Sequence, residues 1–241
     1  METPDTQEKE ELAGEKILKV LFLSSAPLSS YQIAKKARIS QAASHEILEK
    51  MLEEGLVKIA RAEKYRTNLE AKYYTLTKKG LEKALEEIDL DRVPLEDVEK
   101  ALDYWAETMP DVRALSWWRV FRSGSELAKR FYVSCLSESG LFVPEFVVCA
   151  LSSLADKIVG MSAEEVFSMD LIYTAQFISI WYDFMGRLKP EELQRMREEL
   201  SQLVKRDDEA RKEVIETLKE YLKEHQETIT DIERLLSLLQ K

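Results

Sequence analysis

Apolar residues first recur at helical spacing in Ile17, Leu18, Val20, Leu21 and Leu23, and the stripe stops at Ser24-Ser25-Ala26-Pro27. One face of such a helix is buried, and the Ser/Pro cluster ends it. A second, shorter helix is predicted over residues 31–37, capped by Ser30, with Ile33, Ala34 and Ala37 inward. Arg38-Ile39 then makes a tight connection. Ser40 caps a third helix through Glu54, whose inward face is Ala43, Ile47, Leu48, Met51 and Leu52, and Gly55 suits the left-handed exit at its end. After Gly55 the period shifts to two. Leu56 to Ala60 reads as a strand, Arg61 to Ala71 as a polar loop and Lys72 to Thr77 as a second strand, so the segment is expected to form a two-stranded hairpin. Tyr73 and Tyr74 fall on opposite faces, so one packs while the other stays partly exposed. Thr77 caps a further helix with the stripe Leu81, Ala84, Leu85 and Ile88.

Beyond a boundary at Asp89 to Pro94 the pattern is helical throughout. Helices are expected from Leu95 to Met109, Val112 to Glu138 with a bend at Ser123-Gly124-Ser125, Pro144 to Val159, Ala163 to Gly186, and from Pro190 onward. Gly 7 and Pro 6 in 241 residues is about half the ordinary proportion, which favours long helices over a turn-rich sandwich. In the last segment Leu193, Met196, Leu200, Leu203, Asp207, Ala210, Val214, Leu218, Tyr221, His225, Thr228, Ile232, Leu235 and Leu239 follow a near-heptad course. The expectation is a long helix that packs on its own domain near Leu193 and adds a coiled-coil dimer seam further on. A kink or hairpin near Asp207-Asp208 is the structural alternative. Leu218, Tyr221, Leu222, Ile232, Leu235 and Leu239 are the expected dimerisation residues.

Charge sharpens the division. The net charge is -10, yet Ser29 to Lys83 holds 12 Lys and Arg against 7 Asp and Glu, whereas residues 91–241 hold 20 against 29. A basic module at 1–90 is therefore joined to an acidic helical domain at 91–241. Cys135 and Cys149 are too few for a disulfide framework, and His45 and His225 too isolated for a zinc site, so no metal or cofactor is expected. The polar acidic start does not read as a signal peptide, and the stretch from Leu171 to Trp181 is too short to cross a membrane. A cytoplasmic protein is expected.

The order helix, helix, helix, strand, polar loop, strand is that of a winged helix-turn-helix. The segments ILKVLFLSSAPLSSYQIAKKARISQAASHEILEKMLEEGLVK, from Ile17 to Lys58, and KYYTLTKKGLEKAL, from Lys72 to Leu85, resemble the multiple-antibiotic-resistance and phenolic-acid-decarboxylase regulator families over roughly the first 90 residues. The resemblance implies a DNA-binding transcriptional regulator that acts as a homodimer. The full expectation is a mainly α protein: an N-terminal winged helix-turn-helix with a two-stranded β-hairpin wing, then an all-helical C-terminal domain ending in a long helix.

DNA recognition needs a helix with a polar N-terminal half and an apolar anchoring face. Ser40, Gln41, Ala42, Ser44 and His45 supply the first; Gln41 suits an adenine edge and Ala42 a thymine methyl, while Glu46 and Glu49 would repel phosphates or select a cytosine amino group. Tyr31, Lys35, Lys36 and Arg38 around the turn, with Arg61, Lys64 and Arg66 in the expected wing, make a phosphate clamp for double-stranded DNA. In the acidic half, Trp105, Trp117, Trp118, Phe121 and Trp181 form either a packed core or the wall of a pocket for a small hydrophobic or aromatic effector. No nucleophile-base-acid set or phosphate-binding glycine loop argues for an enzyme. The function expected is a homodimeric repressor. A winged-helix protein-interaction scaffold in a transcription or chromosome-associated complex is the alternative.

Overall fold

The stripe that begins at Ile17 lies on a helix that starts well before it: α1 spans Pro4–Phe22, taking in the acidic stretch ahead of the stripe. The computed structural model describes residues 4–64, 70–139, 143–151, 184, 187–220 and 223. Among the described residues the protein is mainly α-helical, with an N-terminal mixed α/β region followed by helices, the last of them a long stretch broken at Asp207. By compactness it divides into residues 1–122 with 132–141, and residues 123–131 with 142–241.

In the first unit, α1 is followed by β1 (Leu28–Ser29), α2 (Ser30–Ala37) and α3 (Gln41–Glu53). Ser29, not Ser30, caps α2. Its hydroxyl accepts from Gln32 N while the Gln32 side chain accepts from Ser29 N, a reciprocal capping box that moves the helix start back by one residue. Ser40 caps α3 as expected, accepting from Ala43 N at 3.1 Å, and Gly55 leaves it at φ +71°. Ile47, Leu48 and Met51 are buried beneath α3, with Ser44 in place of Ala43 on the inward face.

The expected two-stranded hairpin is a three-stranded antiparallel sheet of order β1-β3-β2, with β2 at Val57–Lys64 and β3 at Glu70–Leu76. Much of the segment read as loop is therefore strand, and Arg61 and Lys64 belong to β2. From Lys58 to Glu63, β2 is exposed on both faces, so no hydrophobic alternation marks it. Cross-strand contacts hold it instead. Arg61 lies opposite Tyr73 with its guanidinium 4.2 Å from the ring centre, and Tyr73 donates to Glu63 at 3.2 Å. Tyr74 is the packed member of the tyrosine pair and Tyr73 the partly exposed one.

Thr77 caps α4 (Lys78–Glu87), whose Leu81, Ala84 and Leu85 are buried, and Ile88 at its end is buried as well. A 3-10 turn at Leu90–Arg92 leads to α5 (Leu95–Thr108). The single helix expected over 112–138 is three: α6 (Arg113–Ser116), α7 (Trp118–Phe121) and α8 (Glu126–Ser139). Ser125 is the reason for the last start, its hydroxyl accepting from Ala128 N at 3.3 Å. Packing also carries the first unit past the Asp89 to Pro94 boundary that charge suggests. Trp105 on α5 donates to the carbonyl of Phe22 at the end of α1 at 2.7 Å, a bond made in the buried core.

The second unit holds the first turns of α8, then α9 (Val143–Leu151) and α10 (Pro190–Arg206). Pro190 sits in the first turn of α10, where its missing N–H is harmless. Leu193, Met196, Leu200 and Leu203 are buried, Arg197 Nε donates to Ala150 O at 3.0 Å, and Glu199 accepts from the backbone N–H and hydroxyl of Ser125. The long helix does not run on unbroken. Asp207 is extended at φ -111°, ψ 112°, and its carboxylate accepts from Glu209 N and Ala210 N, so it caps a new helix over residues 208–220. Ala210, Val214 and Thr217 are buried there, whereas Leu218 is 43% exposed; after Val214 the buried stripe passes to Thr217 and leaves Leu218 outside it. The expected helices at 163–186 and beyond residue 223 lie outside the described residues.

Backbone fit at two glycines has opposite consequences for stability. A Cβ on Gly80 would stand 1.8 Å from the Leu56 carbonyl oxygen, whereas one on Gly14 would find nothing nearer than Met51 Cε at 3.7 Å. Urea melts should therefore show Gly80→Ala losing about 1–3 kcal/mol from overpacking and Gly14→Ala gaining about 0.5–1 kcal/mol from helix propensity. Burial also pushes the Tyr132 phenol and the Cys135 thiol well above their ordinary values of 10.0 and 9.0. Each keeps its proton in the folded chain at a pH where the unfolded chain has lost it, so their contribution is complete at neutral pH and falls as pH rises through the alkaline range. The melting temperature should drop between about pH 9 and 11, less steeply in Tyr132→Phe.

Candidate nucleic-acid interface

At 100° per residue, Ala42, His45, Glu46 and Glu49 fall within an arc of about 100° on α3. All four are exposed, and Gln41, about 40° outside that arc, is exposed as well. Opposite lie Ser44, Ile47, Leu48 and Met51, all buried. Ser44 is thus misplaced in the expected DNA-binding set: it is fully buried and donates to the carbonyl of Ser30 at 3.2 Å, tying α3 to the start of α2. Its spacing with Ile47, Leu48 and Met51 already puts it on the inner face, so its polarity alone had set it among the DNA-binding residues.

His45 Nδ1 stands 3.5 Å from Glu49 Oε1, one helical turn on. The Glu49 charge also reaches inward, raising the Tyr74 phenol after the larger effect of burial. Glu46 makes no ion pair with any described residue.

The connection between α2 and α3 carries exposed cations. Lys35 and Lys36 occupy the last turn of α2, and Arg38 follows in the left-handed conformation at φ 57°, ψ 43°. Its N–H donates to Ala34 O and the Ile39 N–H to the same carbonyl, so the turn closes tightly on the helix end. A non-glycine residue in that region is uncommon and costs about 1 kcal/mol or more. Among the described residues Lys35, Lys36 and Arg38 have no carboxylate partner. Tyr31, 61% exposed in the first turn of α2, lies on the same helix.

On the hairpin, Arg61 is only partly available, since it stacks on Tyr73 and lies 3.5 Å from Glu63. Lys64 is the last residue of β2, and Arg66 is outside the described residues. Lys58 on β2 and Lys72 on β3 lie in the two segments expected as strands and are exposed cations that the expected clamp did not include.

The candidate effector residues sit differently. Trp105, Trp117, Trp118 and Phe121 are at most 2% exposed. Trp118 Nε1 donates to Asp103 at 2.6 Å, and Tyr132 stacks on Trp118 at 5.6 Å and on Phe121 at 4.9 Å. These rings fill the core of the first unit, and none of them lines either of two surface depressions, one of about 430 Å³ between α1, α3 and α4 and one beside α10. Trp181 lies outside the described residues. Among the dimerisation residues Leu218 is exposed on the helix over 208–220, while Tyr221, Leu222, Ile232, Leu235 and Leu239 are not described. No group of three or more His, Cys, Asp or Glu suited to a metal occurs among the described residues, and no described helix is long and apolar enough to cross a membrane. No family model, curated protein or solved structure matches the chain.

Proposed function

We propose that the protein is a sequence-specific DNA-binding transcriptional regulator that acts as a homodimer, with the N-terminal elements working as a winged helix-turn-helix. In this reading α3 enters the major groove, α2 braces it, and the β2–β3 hairpin follows the flanking backbone. The observation that carries the reading is the two-sidedness of α3 beside a cationic turn. Ile47, Leu48 and Met51 anchor one face while Gln41, Ala42 and His45 stay exposed on the other, and Lys35, Lys36 and Arg38 stand at the adjoining turn without carboxylate partners among the described residues. Phosphate contacts fix position and base edges give sequence, and this arrangement offers candidates for both.

A homodimer doubles the reading head and predicts half-sites about one helical turn, roughly 34–36 Å, or a multiple apart. Repression then follows from blocking the transcription machinery at the site. Exposed Leu218 is the described member of the seam assigned to self-association, and Ile215, exposed one turn before it, extends the same apolar surface.

Salt titration of binding to random duplex DNA tests the reading. The native oligomer should bind at low salt with affinity that falls linearly in log-log form, and Lys35→Ala/Lys36→Ala/Arg38→Ala should flatten the slope by about 2–3, or roughly 0.9 for each phosphate left without a cation. No binding at about 50 mM salt would move the protein to the scaffold class. For the seam, Leu218→Asp should halve the mass seen by light scattering with helicity retained; an unchanged oligomer would exclude this surface.

A further inference from the structure

The outer face of α3 is acidic where a DNA-reading helix is expected to be neutral or basic, and its two carboxylates differ in their surroundings. Glu49 lies 3.5 Å from His45, which can neutralise it when protonated. Glu46 is exposed at the other end of the same arc from His45, with no cation paired to it among the described residues. A helix seated in the major groove carries such a group between two phosphate walls, where a bare carboxylate is repelled unless it meets a donor.

The base edges in that groove differ sharply in what they return. Guanine offers acceptors at N7 and O6, thymine an acceptor at O4, and adenine an acceptor at N7 beside its N6 amino group. Cytosine alone presents a donor, its N4 amino group, with no acceptor beside it on the same base. We infer that Glu46 is a specificity-determining residue that accepts a hydrogen bond from a cytosine N4 amino group and rejects other bases at that position by leaving its charge unpaired. The inference rests on the DNA-binding reading above. It also gives the acidic face a purpose: the carboxylate weakens binding to every sequence and recovers the loss at one base, which widens the gap between the right site and the rest.

Selection from a random duplex library with the full chain, its Glu46→Gln variant and its Glu53→Gln variant tests the inference. Glu53 is an exposed carboxylate in the last turn of the same helix, so its variant removes the same charge away from the proposed base contact. The unaltered chain should select half-sites with one fixed cytosine. Glu46→Gln should lose about fivefold or more of that preference while binding random DNA about two- to fivefold more tightly at low salt. Glu53→Gln should keep the cytosine. Both changes are at exposed positions, and an unchanged melting curve would exclude misfolding. An undiminished cytosine preference in Glu46→Gln, or the same loss in Glu53→Gln, would overturn the assignment and leave DNA binding standing. A chain that binds DNA but selects no sequence would also overturn it. Absence of any DNA binding would remove the regulator reading and the Glu46 assignment together.

Discussion

The carbonyl of Leu56 is the point on which the N-terminal region turns. It accepts from Thr77 N at 2.9 Å, and the Thr77 hydroxyl lies 3.1 Å from it and 2.6 Å from the carbonyl of Gly55. The same hydroxyl accepts from Gly80 N at 3.1 Å, so one side chain caps α4 and ties it to the end of α3. Lys79 adds a bond to the Glu54 carbonyl at 2.9 Å. Position 80 requires a residue without a Cβ because the Leu56 carbonyl occupies that space. Helix α3 leaves through Gly55, strand β2 begins directly afterwards, and β3 returns to the same carbonyl. The rotation of α3, the start of the hairpin and the start of α4 are therefore set together, and so is the choice of residues that α3 shows to solvent.

What that junction holds rigidly and what it leaves exposed differ in energy. Ile47, Leu48 and Met51 are buried, each worth about 1.5–3 kcal/mol relative to exposure. The outer half of the hairpin has no such anchor. Its stability comes from backbone pairing and from Arg61, Tyr73 and Glu63, a partly exposed cation-ring-carboxylate cluster whose members contribute modestly. A helix fixed in a core beside a weakly anchored hairpin fits the proposed function, in which α3 would specify and the hairpin accommodate. The left-handed Arg38 fits the same division: a glycine would satisfy the turn with less strain, but it would remove a cation from the connection.

The aromatic residues of the acidic half are structural in the described part of the chain. Trp105 ends on the carbonyl of Phe22 and Trp118 on Asp103, so both indole N–H groups are satisfied and their rings can pack. Through Trp105, α5 continues the core of the N-terminal helices. That continuity explains why charge and compactness divide the chain at different places: net charge records which faces meet water, whereas packing records which faces leave it.

Local patterns in the sequence determined the four helices from Ile17 to Ile88 and the two strands between the third and fourth, the caps at Ser40 and Thr77, the exit at Gly55 and the opposite roles of Tyr73 and Tyr74. Each depends on residues within a few positions of one another, where spacing and capping chemistry are sufficient. The short strand β1 and the outer hairpin required partners distant in sequence or lacked a buried face to leave a pattern, whereas the Ser29–Gln32 box that starts α2 and the spacing of Ser44 with Ile47, Leu48 and Met51 are local features that the sequence carries. Gln41, Ala42, His45 and Glu46 were legible as residues of one helix face; Ser44 falls on the opposite face by its spacing with Ile47, Leu48 and Met51, and its bond to Ser30 satisfies the hydroxyl there. Tertiary packing likewise decided that Trp105, Trp117, Trp118 and Phe121 are core, and the local bonds of Asp207 decided that a near-heptad run is interrupted. Periodicity records which residues prefer burial, but only the assembled fold fixes what buries them and which groups remain to meet a partner.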